Sequence, residues 1–136
     1  KEIVIDDNIL IDYKKYYDVV KDFIDISYKK YKTSMIPYPG LVDTLSGLKK
    51  HGYIVGVASS KQHQGIIVAL NAINIQDYFD IIVGLDDVKE GKPSPDCIYK
   101  GMELVSITDK SQVIYVGDNY NDLLISNNNL LIIKCL

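Results

Sequence analysis

Apolar residues recur every three or four positions between residues 12 and 31, with lysines and aspartates in the positions between them. This spacing predicts an amphipathic helix over residues 12–31. The string Pro37-Tyr38-Pro39-Gly40 then interrupts the pattern, because proline and glycine together favour a turn. We therefore expect residues 1–36 to form an N-terminal segment and residues 37–136 to form the main domain.

After Gly40, short apolar runs alternate with helical patterns. The runs predict strands over residues 53–58, 81–83, 113–116 and 130–133. Helices are expected from Leu41 to a glycine cap at Gly52, from Ser60 to about Ala72, over residues 95–105 and over residues 122–127. Unbroken apolar strands between helices indicate an α/β fold with a parallel sheet covered on both faces. In such folds ligands bind at the carboxyl ends of the strands.

Composition narrows the classes of function. The 136 residues are 47% hydrophobic and 24% charged, as in an ordinary globular domain, and the net charge of -3 argues against a nucleic-acid or anionic-membrane partner. We see no run long enough to span a membrane and no signal peptide. Cys97 and Cys135 are widely spaced and suit reduced thiols in the cytoplasm. All 15 basic residues are lysines, so arginine has no part in binding any anion.

Two carboxylates, Asp118 and Asp122, follow the strand predicted over residues 113–116. At a separation near 5 Å and an effective dielectric of about 20, their repulsion is about 3 kcal/mol, and a cation would remove it. Mg²⁺ favours one or two carboxylates together with phosphate and water oxygens. The pair is therefore a candidate metal site. The alternative is a helix cap followed by an acid in the first turn.

Ser59, Ser60 and Lys92 are the candidate phosphate ligands. The two serines follow the strand over residues 53–58, where a hydroxyl and helix amides can bind phosphate oxygens, although Ser59 alone is also a plausible helix cap. Lys92 lies between Gly91 and Pro93, so we expect it in an ordered turn and not on a flexible surface helix. Asp86 and Asp87, in the same loop, are weaker candidates for contact with substrate. His51 and His63 are expected at helix ends or on the surface.

These strings together resemble the haloacid dehalogenase-like (HAD) superfamily, in its phosphoglycolate phosphatase and beta-phosphoglucomutase-like branch. The similar segments are, in order, Pro37-Tyr38-Pro39-Gly40-Leu41, Gly56-Val57-Ala58-Ser59-Ser60-Lys61, Asp77-Tyr78-Phe79-Asp80, Gly91-Lys92-Pro93-Ser94-Pro95-Asp96 and Gly117-Asp118-Asn119-Tyr120-Asn121-Asp122.

The resemblance implies a Rossmann-like three-layer core over residues 37–136. Residues 1–36 would then be the remnant of a helical cap. It further implies a Mg²⁺-dependent phosphatase that hydrolyses a small phosphorylated metabolite through an aspartyl-phosphate. Ser59 and Lys92 would hold the phosphoryl group, and Asp118 and Asp122 would hold the metal.

One family motif is not intact. Relatives end their first strand with Asp-x-Asp-x-Thr/Val, whose first Asp attacks phosphorus and whose second is the general acid and base. The nearest string here runs from Ile5 to Asp12. If Asp6 is the nucleophile, Asn8 takes the acid–base position, where an amide cannot donate a proton as a carboxylic acid does. Either the motif precedes Lys1 and the chain begins within the cap, which we favour, or Asp6 belongs to a degraded motif.

Other classes of function remain as alternatives. A catalytically inactive HAD-like binding module would keep the phosphate site without turnover, and a phosphomutase would share the same residues. The string Ile3-Val4-Ile5-Asp6-Asp7-Asn8 also resembles the start of a receiver-type signalling domain. Such a domain requires a phosphoacceptor Asp at the end of its third strand, and the strand over residues 53–58 ends in Ser59-Ser60. Substrate identity and oligomeric state are left open by the sequence.

Overall fold

A computed structural model of the chain describes the backbone of residues 7–125 and 131–134 and the side chains of residues 18–125. Within these ranges the chain forms five α-helices and four short strands. The helices are α1 (Asp7–Ser34), α2 (Leu41–Lys50), α3 (His63–Ala72), α4 (Asp96–Leu104) and α5 (Tyr120–Leu124). The strands are β1 (Gly56–Ala58), β2 (Ile81–Val83), β3 (Ile114–Gly117) and β4 (Leu131–Lys134). Short 3-10 helices lie at Gln76–Tyr78, Leu85–Asp87 and Lys110–Gln112.

The elements occur in the predicted order, and most differences lie at their ends. The predicted strand over residues 81–83 coincides with β2, whereas β1 is only the last three residues of the predicted strand over residues 53–58. Helix α1 begins five residues earlier than predicted, and α5 begins two residues earlier. Gly52, the expected cap of α2, has φ of 79°, a left-handed conformation that glycine adopts readily.

The described strands form two parallel pairs. β1 pairs with β2, with Gly56 opposite Ile81, and β3 pairs with β4, with Ile114 opposite Leu131. The α/β class with parallel strands is therefore confirmed. Within the described residues the two pairs are separate sheets and are not joined into one.

Side chains on the two faces of the β1–β2 sheet belong to two different apolar clusters. Ala58 and Ile81 pack against one cluster, formed mainly by α4 and β2. Its buried members are Val83, Cys97, Ile98, Met102 and Ile125. Val57 and Ile82 pack against the other, formed by α3 and the turn that follows it. Its buried members are Ile66, Leu70 and Ile75. Helices thus cover both faces of this sheet, as the sequence pattern predicts.

Helix α1 lies against α3, and its last turn approaches the loop after β1. The Lys61 ammonium lies 3.5 Å from the Tyr31 hydroxyl and 5.6 Å from the centre of the Tyr31 ring. Tyr31 is half-buried, whereas Tyr28 is exposed. Although α1 has 28 residues, neither it nor another helix in the described part of the chain is both long and apolar enough to span a membrane.

Candidate active site

The loops after β1 and β2 are tied together by backbone hydrogen bonds. The Ser59 amide donates to the Val83 carbonyl at 3.0 Å, and the Leu85 amide donates to the Lys61 carbonyl at 2.9 Å. The Ser59 hydroxyl accepts from the Lys61 amide at 3.2 Å. Ser59 is half-buried and Ser60 is exposed. The residue that caps α3 is Gln62, so the interpretation of Ser59 as a helix cap is wrong.

Asp86 and Asp87 bind the start of α3. The His63 amide donates to Asp86 Oδ1 at 2.7 Å, and His63 Nδ1 lies 2.6 Å from Asp87 Oδ2. The Gly84 amide also donates to Asp87 Oδ2, at 2.7 Å. This amide is the main reason that the pKa of Asp87 is lowered, and His63 adds to the effect. His63 therefore lies at a helix end, as expected, and so does His51, which is the exposed C-cap of α2.

Lys92 links the loop after β2 to the end of β3. Its ammonium donates to Asp122 Oδ1 at 2.9 Å and to the Tyr115 hydroxyl at 2.5 Å. The Tyr115 hydroxyl donates to the same Asp122 oxygen at 2.8 Å. The side chains of Lys92 and Asp122 are only 13% and 8% exposed, so water screens the pair weakly. The loop after β2, strand β3 and helix α5 thus meet at this cluster. Lys92 and Asp122 are two of the predicted site residues.

Burial and hydrogen bonding act in opposite directions on this cluster. Burial acts to lower the pKa of Lys92, but the hydrogen bonds to Tyr115 and Asp122 outweigh it, and the pKa is raised. Burial acts to raise the pKa of Asp122, but Lys92, Tyr115 and the Asn119 amide outweigh it, and the pKa is lowered. Burial raises the pKa of Tyr115 to about 12. At neutral pH the cluster therefore contains a charged lysine, a charged aspartate and a neutral tyrosine.

Helix α5 fixes the orientation of Asp122. Asn119 caps the helix by accepting from the Asn121 amide at 3.0 Å, and Asp122 Oδ2 accepts from the Asn119 amide at 3.1 Å. The Asn119 side chain also accepts from the Asp122 amide, which completes a capping box. Asp122 is thus the first-turn acid of the alternative interpretation, while the cap itself is Asn119. A Cβ on Gly117 would lie 2.5 Å from the Asp122 Cβ, so only glycine permits this approach.

Asp118 and Asp122, the two residues predicted to hold Mg²⁺, have different surroundings. Asp118 is exposed at the end of β3, whereas both oxygens of Asp122 already accept hydrogen bonds. Among the described side chains, those of residues 18–125, no group of three or more His, Cys, Asp or Glu is arranged to hold a metal. The donor set therefore suits Mg²⁺ only if phosphate and water oxygens supply most of the ligands, as they commonly do for this ion. Asp6 lies outside the described residues.

Tyr115 is the site residue that sequence reasoning missed. It stands in the apolar run over residues 113–116, where aromatic residues are ordinary strand formers. The available signal was its hydroxyl, because a buried tyrosine in a strand needs a hydrogen-bond partner. Because Tyr115 lies two positions before Gly117, its partner is expected among the polar residues at the end of the strand.

The chain is similar to several known proteins. The family model of haloacid dehalogenase-like hydrolases matches residues 4–130. Pyrophosphatase PpaX of Bacillus cereus (strain G9842) is 28% identical over 113 residues, which are 83% of this chain and 52% of that protein. The chain thus spans about half the length of this curated relative.

Solved structures of similar proteins also align with this chain over about half of their own length. A crystal structure described as a "predicted phosphoglycolate phosphatase" from Haemophilus somnus 129PT aligns with a TM-score of 0.71 and 26% identity, over 79% of this chain and 48% of that one. A HAD-superfamily hydrolase from Geobacter sulfurreducens PCA aligns with a TM-score of 0.63 and 24% identity, over 71% of this chain and 45% of that one, and supports the fold alone. Because the family model covers nearly the whole chain, the chain belongs to the haloacid dehalogenase-like hydrolases.

Proposed function

We propose that this chain carries the phosphate-binding site of a Mg²⁺-dependent phosphatase that acts on a small phosphorylated metabolite through an aspartyl-phosphate. In this proposal residues 37–136 are the HAD-like core and residues 1–36 include the remnant of a helical cap. The core binds phosphate and metal, and the cap contributes to the choice of substrate. The reduced, buried Cys97 is compatible with the cytoplasm as the proposed location.

The ion pair between Lys92 and Asp122 is the observation that carries the proposal. The two groups are 2.9 Å apart and both side chains are largely buried, so the Lys92 ammonium is fixed near the carboxyl end of β3. In a chain without arginine, a fixed ammonium of this kind is the strongest available partner for a phosphoryl group. The raised pKa of Lys92 keeps this charge across the neutral range.

Ser59 and Ser60 would complete the phosphate site. The Ser59 hydroxyl accepts from the Lys61 amide, which orients the oxygen and leaves its proton for a phosphate oxygen. The exposed Ser60 lies next to it. Hydrogen bonds of this kind stabilise charge that develops on phosphate oxygens during phosphoryl transfer.

Asp118 would hold Mg²⁺ directly, and Asp122 would hold it through water because its own oxygens bind Lys92, Tyr115 and the Asn119 amide. The bound ion would supply charge neutralisation to the phosphoryl group. The nucleophilic carboxylate, for which Asp6 is the candidate within this sequence, would attack phosphorus and break its bond to the ester oxygen. The alcohol would leave, and water would then hydrolyse the acyl phosphate.

Phosphate binding tests the proposal without requiring turnover. We expect inorganic phosphate with Mg²⁺ to bind the wild-type chain, and Lys92→Met to weaken binding at least tenfold in a calorimetric titration, or about 1.4 kcal/mol. Lys110→Met is the matched control, because Lys110 also binds a tyrosine hydroxyl, that of Tyr99 at 2.8 Å, at the opposite end of β3. Equal affinities of the two variants would contradict a role for Lys92 in phosphate binding.

Turnover separates the enzyme from the inactive module. We expect Mg²⁺-dependent release of phosphate from p-nitrophenyl phosphate. Pyrophosphate and phosphoglycolate are the metabolites to test first, because the relatives described above are named as phosphatases of these compounds. Asp118→Ala should abolish this activity. Phosphate binding with no hydrolysis of any of these compounds would favour the binding module.

A further inference from the structure

Helix α1 carries an apolar strip that no other described part of the chain covers. The strip consists of Val19, Phe23 and Ile26, whose side chains are 61%, 68% and 66% exposed. Because residues three and four positions apart lie on the same side of a helix, the three side chains form one continuous surface. The half-buried residues of α1, on the side that lies against α3, are Ile24, Ser27 and Tyr31. The strip therefore stays exposed although α1 packs against α3, and exposed apolar surface of this kind is typical of interaction sites.

Charged residues divide α1 into an acidic and a basic part. Residues 18–25 contain three aspartates and one lysine, whereas residues 26–34 contain three lysines and no acidic residue. Asp18, Asp22 and Lys29 border the strip along one side, and Lys30 extends it by one turn. Among the side chains of residues 18–125, no ion pair involves any of these four residues. Their charges are therefore available to a partner.

The stability of the helix itself explains only the basic part. Lysines in the last turn interact favourably with the helix dipole, but this effect falls off within one turn of the end. Asp18 and Asp22 lie near the middle of a helix that runs from Asp7 to Ser34. Because aspartates at that position gain nothing from the dipole, the division of charge along α1 needs another explanation.

We propose that two copies of this chain associate through the strip, with their α1 helices antiparallel. In a twofold pair centred between residues 24 and 25, Phe23 of each copy packs against Ile26 of the other. Asp18 and Asp22 of each copy then lie opposite the basic part of the other helix. A parallel pair would instead place aspartates against aspartates and lysines against lysines. The pairing does not depend on the proposed function.

A second copy is the occupant because the surface is complementary to itself. A twofold contact uses the same surface on both partners, so that surface must carry both signs of charge as well as an apolar centre. The strip and the charged residues beside it meet both requirements. One pair of helices buries less area than a stable dimer commonly does, so we expect the copies to dissociate on dilution.

Sedimentation equilibrium of the intact chain tests the association. We expect the mean mass to rise from that of one chain, 15.3 kDa, to twice that value as the concentration increases. Phe23→Asp should lower the association constant by about tenfold or more, because two carboxylates would enter the apolar centre. Val42→Asp is the matched control, because Val42 is 43% exposed in the first turn of α2, where an acidic residue suits the helix dipole. It should associate as the wild type does.

Charge reversal tests the antiparallel arrangement while leaving the strip intact. A basic variant, Asp18→Lys with Asp22→Lys, and an acidic variant, Lys29→Glu with Lys30→Glu, should each associate more weakly than the wild type. An equimolar mixture of the two should associate more strongly than either variant alone, because the facing charges are then opposite. Added salt should weaken the association of the wild type, since salt screens the attraction between the two helices.

A chain that stays monomeric at every concentration would overturn the proposal, and the strip would then belong to a contact with another segment or protein. Association that Phe23→Asp leaves unchanged would also overturn it, because the contact would lie elsewhere. Stronger association at high salt would contradict the antiparallel arrangement. If circular dichroism shows that Phe23→Asp loses helix, the charge-reversed variants, which keep the strip, decide the question. All these measurements are independent of phosphatase activity.

Discussion

At the scale of single residues, the main feature is a tyrosine that joins a lysine and an aspartate. Tyr115 accepts from Lys92 and donates to Asp122, so its hydroxyl holds both charged groups in one geometry. A hydrogen bond to a charged group contributes more to the free energy of unfolding than one between neutral groups, about 1.5–3 kcal/mol. The tyrosine therefore positions the two residues that we propose for phosphate and metal.

Tyr115→Phe should lower the free energy of unfolding at pH 7 by about 1–2 kcal/mol. Tyr99→Phe removes a hydroxyl that binds a single lysine and should cause a smaller loss. Urea denaturation of the three proteins measures the difference. Equal losses for the two variants would mean that the second hydrogen bond of Tyr115 contributes nothing.

The advantage of wild type over Tyr115→Phe should also depend on pH. The pKa of Tyr115 is raised to about 12 in the folded chain, against about 10 when unfolded. Between these values the unfolded chain loses the proton that the folded chain keeps, so stability falls as pH rises. The difference in unfolding free energy should be constant below pH 9 and shrink from about pH 10 to about pH 12. A difference that grows over this range would contradict the sign of the shift.

At the scale of elements, the turn between β3 and α5 sets the position of Asp122. The last residue of the strand, Gly117, contacts Asp122 closely because it has no side chain. The capping box between Asn119 and Asp122 then fixes the first turn of a helix that has only five residues. A short helix has little stability of its own, so its cap and its contact with β3 determine where it lies.

Gly117→Ala should displace α5 and reduce stability by about 1–3 kcal/mol, as overpacking commonly does. It should also weaken phosphate binding, because Lys92 would lose its fixed partner. Gly65→Ala is the control, since a Cβ there meets no atom within 4 Å and α3 should gain up to about 1 kcal/mol from it. Thermal unfolding and the phosphate titration measure both effects. A neutral Gly117→Ala would show that the turn can relax.

At the scale of the whole molecule, two apolar clusters lie on opposite faces of the β1–β2 sheet. Ile66 belongs to one cluster, and Ile98 and Ile125 belong to the other. Substitutions in separate clusters share no packing partners, so their effects should add. Substitutions within one cluster relax the same space and should not.

A double-mutant cycle tests this organisation. Ile66→Val and Ile98→Val should each cost about 0.5–1.5 kcal/mol, and their combination should deviate from the sum by less than about 0.5 kcal/mol. Ile98→Val combined with Ile125→Val should deviate by more. Strong coupling between Ile66 and Ile98 would mean that the sheet transmits packing changes from one face to the other.

Sequence patterns located nearly every element but set its ends less well. The helix at the N-terminus was predicted to begin at residue 12, because the apolar period is regular only from there, and it begins at Asp7. The strand over residues 53–58 is shortened to Gly56–Ala58 because only these residues pair with β2. Pairing depends on a partner strand that is distant in sequence, so hydrophobicity alone could not set this limit.

The sequence by itself determined the class of the fold, the order of the elements and the loops in which Ser59, Lys92 and Asp118 lie. Each of these follows from local period, turn residues and strand ends, which are encoded within a few positions of one another. Only the tertiary structure decided that Lys92 binds Asp122 directly while both also bind the Tyr115 hydroxyl, and that, within the described residues, the β1–β2 and β3–β4 pairs are separate sheets. The two contacts of Lys92 join residues 23 and 30 positions apart, and such distances along the chain are bridged only when the elements pack together.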